Sequence, residues 1–354
     1  MHVAFISSPE NGVIFGGHTI QINKTRQYIE ALGHRVSVIS HIASPAAEPF
    51  DVLHFWLPHR PQVEAASDDA TPKVLSPIYH SRSVRYRFAK EYHGAQRFYA
   101  GLLRSTLSKQ VKTRLGLSRQ FSPEEDLAFA LDQCDLFIPN SESEAAAVYA
   151  ATHSGTPHFV APNAADLAFR DVSPEAFVAA YGLRDFVICV GRFEPYKNQL
   201  GLIRALEGSG KTLVLVGAPH PHHPDYFAQC KAHFGESVVH IPHIPYDELP
   251  SAYAAARVSV LPSYFETTGL VSLEAGLAGI NVVTTDRGYT REYFKDFAWY
   301  CDPSRTESIQ RAVLDAWNTP PSTDLQERIA QYYTWEVTAT QTVEAYKKAI
   351  VLHE

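Results

Sequence analysis

Short apolar runs alternate with polar and amphipathic stretches along the whole chain. In the first half, His2–Ser7, Arg35–Ser40, Val52–Leu57, Val74–Tyr79, Leu136–Pro139 and His158–Ala161 predict strands. A helix is predicted from about Thr19 to Leu32, with Gly33 ending it, and a helix-prone region runs from about 84 to 115. The stretch FRDVSPEAFVAAYGLRD reads as a crossover. A second alternation starts at Phe186: strand FVICVG, loop RFEPYKN, helix Gln199–Leu206, strand TLVLVG, the loop PHPHHPDY, a helix, strand VVHIP and helix Asp247–Ala256. Strand Val258–Leu261, a loop ending in Glu266-Thr267-Thr268-Gly269, a short helix and strand Ile280–Thr284 then form a βαβ unit. A helix from about Val337 to Lys348 closes the chain. Two α/β sheets in sequence predict two domains, and the cleft between them is the expected ligand site.

The βαβ unit carries two carboxylates eight residues apart, Glu266 and Glu274. In open α/β sheets, ligands bind where strand ends meet helix N-termini. Leu270, Leu273 and Leu277 define the buried stripe of the short helix, and Glu274 falls at its edge. A carboxylate there is costly unless polar groups meet it, and a ligand's hydroxyls would do so. Glycosidases also pair carboxylates, within about 5–9.5 Å. Eight helical steps span roughly 12 Å, although Glu266 precedes the helix, so the pair suits two parts of one ligand better. The alternative is a solvated loop residue and a helix-edge charge.

Length and composition set the frame. The chain has 354 residues, enough for two cores, and its 45% hydrophobic and 12% aromatic content argues for folded protein throughout. Cys134, Cys189, Cys230 and Cys301 show no paired spacing, a reducing-compartment pattern. No apolar run approaches the roughly 20 residues of a membrane span. MHVAFISSPE lacks a basic leader and reads as a strand, so a cytoplasmic protein is expected. The net charge of −7 is uneven: residues 81–120 hold ten basic side chains against Glu91, a balance of +9 that leaves −16 elsewhere. Aromatic and aliphatic residues are interleaved there. The mix suits an anionic membrane surface or a phosphate-bearing acceptor, or else a solvated face paired with acids elsewhere. The acidic whole and the lack of a nucleic-acid motif argue against nucleic acid as a partner.

The other informative string is VGRFEPYKNQ. Arg192 leaves a strand end, and Lys197 stands before Asn198, a helix N-cap candidate. A planar guanidinium, a point-charge ammonium and helix amides make a diphosphate clamp; alone, such a pair is also an ordinary solvated one. VGRFEPYKN together with PSYFETTGLVSLEAGLAGINVV resembles the nucleotide-binding half of retaining glycosyltransferases of the GT-B fold, in the large family four type. GGHTIQINKTRQYIEALGHRVSVIS is similar to that family's glycine loop, first helix and second strand. IPNSESEAAAVYA and VAPNAAD resemble its late N-domain strands, and YYTWEVTATQTVEAYKKA its closing helix.

The resemblance implies an α/β architecture of two Rossmann-like domains facing across a cleft. Residues 1–172 would bind the acceptor and 173–335 the nucleotide sugar, with the 336–354 helix packing back on the first domain. It implies that Arg192 and Lys197 neutralise the donor diphosphate, Glu274 accepts from ribose hydroxyls and Glu266 contacts the donor sugar. Thr267, Thr268, Gly269 and Leu270 would offer backbone amides, and Gly16 and Gly17 a close approach to phosphate or acceptor. The backbone around Ile241–Ile244, Ile244 included, would meet the base. His80 matches the active-site histidine, with His18 a second candidate; the family's usual acidic neighbour is Ser81 here.

The implied activity transfers a sugar, with retention, from a UDP- or GDP-linked donor to a hydroxyl of a glycan or lipid-linked acceptor at the inner face of a membrane. Polysaccharide or lipopolysaccharide assembly would fit. No cofactor or metal is expected. Asp-x-Asp is absent, GxGxxG is absent, and His220, His222 and His223 read either as a metal cluster or as solvated loop histidines. Two rivals stand beside this reading: a catalytically idle GT-B scaffold acting as a peripheral membrane or assembly partner, and a nucleotide-sugar epimerase of the same fold.

Overall fold

The computed structural model describes residues 1–7, 16–39, 49–57, 60–80 and 123–354. The basic segment 81–120, with its expected membrane or acceptor contact, lies outside the described residues. Two compact units are present. The first comprises the described residues up to Asn163 together with Trp335–Glu354; the second is Ala164–Thr334.

In the first unit, β1 (His2–Ser7), α1 (Gly17–Ala31), β2 (Arg35–Ile39), β3 (Val52–Trp56), α2 (Arg60–Glu64) and β4 (Lys73–Ser76) are followed by α3 (Pro123–Asp132), β5 (Leu136–Phe137) and α4 (Glu142–Thr152). The strands form one parallel sheet in the order β2-β1-β3-β4-β5. Both faces are covered, which is why its strands read as continuous apolar runs. Val3 and Phe5 enter one core with Ile22, Ile29, Val343 and Tyr346, while Ala4 and Ile6 enter the other with Leu53, Phe55, Leu131 and Val148. The period-two alternation thus splits each strand between two cores.

Three expectations change here. β4 stops at Ser76 rather than Tyr79, because Ile78 takes φ 43° and turns the chain out of the sheet. His158 makes only an isolated bridge to Phe137, so no strand runs through His158–Ala161. The stretch IPNSESEAAAVYA is mainly helix: Ser141 Oγ accepts from Glu144 N at 3.0 Å, and Glu144 Oε2 accepts from Asn140 N at 2.6 Å. The Ser141 bond is an N-cap, legible as Ser-x-x-Glu, while the Glu144 carboxylate reaches one residue further back than in a capping box.

In the second unit, α5 (Glu175–Tyr181), β6 (Val187–Val190), α6 (Gln199–Leu206), β7 (Leu213–Val216), α7 (Pro224–Ala232), β8 (Val238–Ile241), α8 (Leu249–Ala255) and β9 (Val258–Leu261) follow in turn. Then come α9 (Leu270–Leu277), β10 (Asn281–Thr285), α10 (Thr290–Phe294), β11 (Trp299–Cys301), α11 (Thr306–Asn318) and α12 (Asp324–Tyr332). The parallel sheet has the order β11-β10-β9-β6-β7-β8. Ile188 faces one core with Leu273 and Tyr253, and Val187 and Cys189 face the other with Leu202 and Ile309.

The last helix, α13 (Trp335–His353), lies in the first unit. Ala339, Val343, Tyr346 and Ala349 are buried against the core holding Val3, Ile22 and Ile29. Tyr346 also reaches His54 of β3, whose Nδ1 lies 2.7 Å from the Tyr346 hydroxyl and whose Nε2 lies 2.8 Å from Ser76 Oγ. Among the described residues, no helix is long and apolar enough to cross a membrane.

Candidate functional site

The strand order places the site. From β6 the chain adds β7 and β8 on one side, then crosses back to add β9, β10 and β11 on the other. The loops leaving β6 and β9 therefore diverge at the carboxyl edge of the sheet, the switch point where such folds bind ligands. The loop after β6 carries Arg192, Glu194 and Lys197; the loop after β9 carries Glu266 to Gly269.

The two loops meet through charge. Lys197 Nζ lies 2.7 Å from Glu266 Oε1, with side chains 23% and 9% accessible. Burial acts to lower the Lys197 pKa, but Glu266 at this distance and Glu194 nearby outweigh it, and the net shift is upward. Arg192 Nη2 stands 3.7 Å from Glu194 Oε1, beyond hydrogen-bond reach, and its Nη1 is covered yet unpartnered among the described residues. Asn198 takes φ 57° and does not cap α6 with its side chain. Its amide instead donates to Pro262 O at 3.3 Å and Pro303 O at 2.9 Å, tying the loops after β9 and β11 to the loop after β6.

Glu266 is gripped from the other side by the loop after β10. Glu266 N donates to Arg287 O at 3.2 Å, and Tyr289 N donates to Glu266 O at 2.9 Å. Gly288, at φ 101°, lies so close that a Cβ there would stand 2.0 Å from Glu266 O. Thr267 is partly exposed, and Thr268 is buried with its hydroxyl 3.3 Å from the Tyr293 hydroxyl. Gly269, at φ 80°, opens α9 and brings no side-chain cap, so the helix presents its first amides beside Leu270. Glu274 is 3% exposed and faces the Tyr253 hydroxyl at 3.4 Å. Burial first, and then the Glu274 charge, push the Tyr253 pKa well up, so this phenol stays protonated and donates. Ile244 is buried in the loop after β8, against the core that holds Leu273.

The remaining expected residues belong to the first unit. Gly16 is the N-cap of α1 in extended backbone, φ −162°, and Gly17 begins the helix with His18 in its first turn. His80 is partly buried four residues past β4, just after Tyr79, whose N–H donates to the buried Glu144 carboxylate. No group of three or more His, Cys, Asp or Glu is placed to hold a metal among the described residues, the His220–His223 turn included.

Residues 171–334 match the family model described as glycosyl transferases group 1. The O-antigen chain mannosyltransferase B of Escherichia coli is 28% identical over 174 residues, 46% of this chain and 45% of that protein. The D-inositol 3-phosphate glycosyltransferase of Rhodococcus erythropolis is 27% identical over 259 residues, 66% of this chain and 57% of that protein. The chain spans about half the length of the curated relatives it matches. The sucrose-phosphate synthase of Thermosynechococcus elongatus superposes with a TM-score of 0.76 at 18% identity, covering 98% of both chains. Anabaena HepE, solved with UDP and glucose, gives 0.68 at 16% identity, covering 97% of this chain and 98% of that one. At such identities the likeness shows the fold, which is GT-B with two parallel-sheet Rossmann-like units.

The group 1 match covers the whole charged rim of the second sheet, including residues whose supporting contacts motif reading does not give. Asn198, Tyr253, Gly288 and Tyr293 each hold a site residue or its loop. A signal available in sequence is Gly288, a glycine three residues past β10, in a loop at the strand end where close backbone approach is common.

Proposed function

We propose that the chain is a retaining glycosyltransferase of the large family four type, moving a sugar from a UDP- or GDP-linked donor to a hydroxyl of a glycan or lipid-linked acceptor. The observation that carries the reading is the convergence at the switch point: Arg192 and the Lys197–Glu266 pair, 2.7 Å apart, beside the uncapped N-terminus that follows Gly269. Two cations and helix amides suit a diphosphate, and the buried Glu274 suits ribose hydroxyls. As the donor bond breaks, negative charge grows on the leaving phosphate oxygen. Arg192, Lys197 and the amides beside Thr267–Leu270 stabilise that charge more in the transition state than in the ground state. The phosphate then takes the acceptor proton, so the reaction asks for no protein nucleophile and no metal. Glu266 contacts the donor sugar, and backbone near Ile244 meets the base. The roles of Gly16, Gly17 and His80 rest on the family resemblance, and the lipid-linked acceptor on the basic segment 81–120.

The names of the relatives and the UDP bound to HepE support a nucleotide-sugar reading over the idle scaffold. Calorimetric titration with UDP, GDP and ADP at one salt concentration tests it. Micromolar affinity for one nucleotide is expected, followed by acceptor-dependent turnover that persists in EDTA and gives a product of retained anomeric configuration. Binding of none would leave the idle scaffold; product formed without acceptor would leave the epimerase.

A further inference from the structure

The turn after β7 carries three imidazoles that the roles above do not use. It is bound to the loop that begins at Arg192: Phe193 N donates to Ala218 O at 3.0 Å, and His220 N donates to Phe193 O at 3.1 Å. Gly217 and Gly191 touch so closely that a Cβ at Gly217 would stand 2.2 Å from Gly191 O. The turn is thereby fixed against the Arg192 loop at the carboxyl edge of the sheet.

Its imidazoles are packed together. The His220 ring centroid lies 5.1 Å from His223 and 5.4 Å from His222. His220 is 9% exposed, and its Nδ1 accepts from His222 N at 3.1 Å. In the neutral ring the proton therefore sits on Nε2, which is the donor. The turn also leads into α7, a nine-residue helix with Pro224 in its first turn and no side-chain cap from His223. Rings, guanidinium and helix end all favour negative charge.

We propose that His220 and His223 form, with Arg192, a wall of the diphosphate site whose imidazoles take up protons as a doubly or triply charged diphosphate binds. The proposal rests on the reading of Arg192 as a diphosphate ligand. Burial first, then Arg192 and the neighbouring imidazoles, lower the His220 pKa, and Glu194 opposes them. The same balance, burial first and then Glu194 against His222, lowers that of His223. Among the described residues, other titratable groups around the turn include Asp225 in the first turn of α7, Tyr226 beside it, whose N–H donates to His223 O at 3.2 Å, and His240 on β8, whose Nε2 lies 2.9 Å from Gly217 O. A diphosphate outweighs the repulsion from Arg192 and makes protonation favourable. The unpartnered Arg192 Nη1 and the 3.7 Å gap from Nη2 to Glu194 mark a guanidinium whose charge the protein has not fully met.

The test compares wild type with the double variant His220→Asn, His223→Asn. Asparagine keeps an acceptor for His222 N and remains a good N-cap residue. Dissociation constants for UDP and GDP are measured from pH 8.5 to pH 6.0, with uridine and guanosine as phosphate-free controls. The ligand's own ionisation cancels in the ratio of variant to wild type. One proton taken up widens that ratio on the order of tenfold per pH unit at most. The expected result is a ratio that widens on acidification for the diphosphates and stays flat for the nucleosides. A flat ratio for the diphosphates, in variants with wild-type unfolding temperatures, overturns this inference alone. A wild type that binds no diphosphate at any pH overturns the proposed function and this inference with it.

Discussion

Acid should loosen the first unit through one histidine. His54 is fully buried in β3, stacked 4.3 Å from the Trp56 ring and edge-on to Phe5 at 5.2 Å, with both nitrogens on hydroxyls, those of Tyr346 and Ser76. Burial brings its pKa down from 6.5 to about 3. The sign follows from which state holds the proton. Between these values the unfolded chain binds a proton that the folded chain refuses, so stability is complete above pH 6.5 and falls as pH drops toward 3. At pH 4.5 the window spans two units, or about 3 kcal/mol, and its limit at lower pH is about 5 kcal/mol. Carboxylates titrate in the same range, so the measurement is a difference. Urea unfolding of wild type and His54→Gln is followed at pH 7.5 and pH 4.5 by tryptophan fluorescence. A Trp299→Phe, Trp317→Phe background leaves Trp56 and Trp335, both in the first unit, as the reporters. The substitution costs stability at pH 7.5 through lost packing and hydrogen bonds. That cost should shrink by about 3 kcal/mol at pH 4.5, because glutamine takes no proton. A gap between the two proteins that does not change with pH would refute the argument that burial keeps His54 neutral.

Three perturbations address the second unit. Glu274→Ala should weaken nucleoside diphosphate binding about 10–100-fold, the worth of hydrogen bonds to a charged acceptor, and calorimetry reads it directly. Unchanged affinity would remove the ribose assignment. Lys197→Met strips Glu266 of a cation at 2.7 Å. Losing one partner of a fully buried pair costs about 3–5 kcal/mol, and the 23% accessibility of Lys197 reduces this to about 1–3 kcal/mol in urea unfolding, alongside a loss of turnover. An unchanged unfolding midpoint would show that solvent already satisfies Glu266. Gly288→Ala places a methyl 2.0 Å from Glu266 O at a φ of 101°, so the Glu266 loop must move. Turnover should fall, and nucleotide affinity should weaken less than in Glu274→Ala, because the ribose contact proposed for Glu274 stays in place; turnover equal to wild type would mean that Glu266 need not be fixed.

Much of this architecture is legible in the sequence, and the rest is not for a physical reason. Parallel strands covered on both faces read as unbroken apolar runs, so β1, β3, β6, β7 and β9 stand out. α11 is legible in principle, because Ile309, Ala312, Val313 and Ala316 lie on one helical face. β11 is too short, at three residues, to show any period. Within the site, Arg192, Lys197, Glu266 and Glu274 belong to local motifs, and a motif is visible wherever its residues sit close in sequence.

The supports of those residues are different, and they explain how the site holds together. Asn198 looks like an N-cap in sequence, but its left-handed backbone turns the amide toward Pro262 and Pro303, 64 and 105 residues away. Gly288 supports Glu266 across 22 residues of chain, and Tyr253 meets Glu274 across 21. Each is an ordinary residue made specific by a contact that only the folded sheet creates. Four loops leave the same edge of one parallel sheet and would splay into solvent independently unless something joined them. Asn198, Gly288 and the Lys197–Glu266 pair are those joints. A change at Asn198 or Gly288 alters the position of a charged group without altering the charges that a diphosphate would meet, so lost geometry can be separated by experiment from the lost chemistry of a Lys197 substitution.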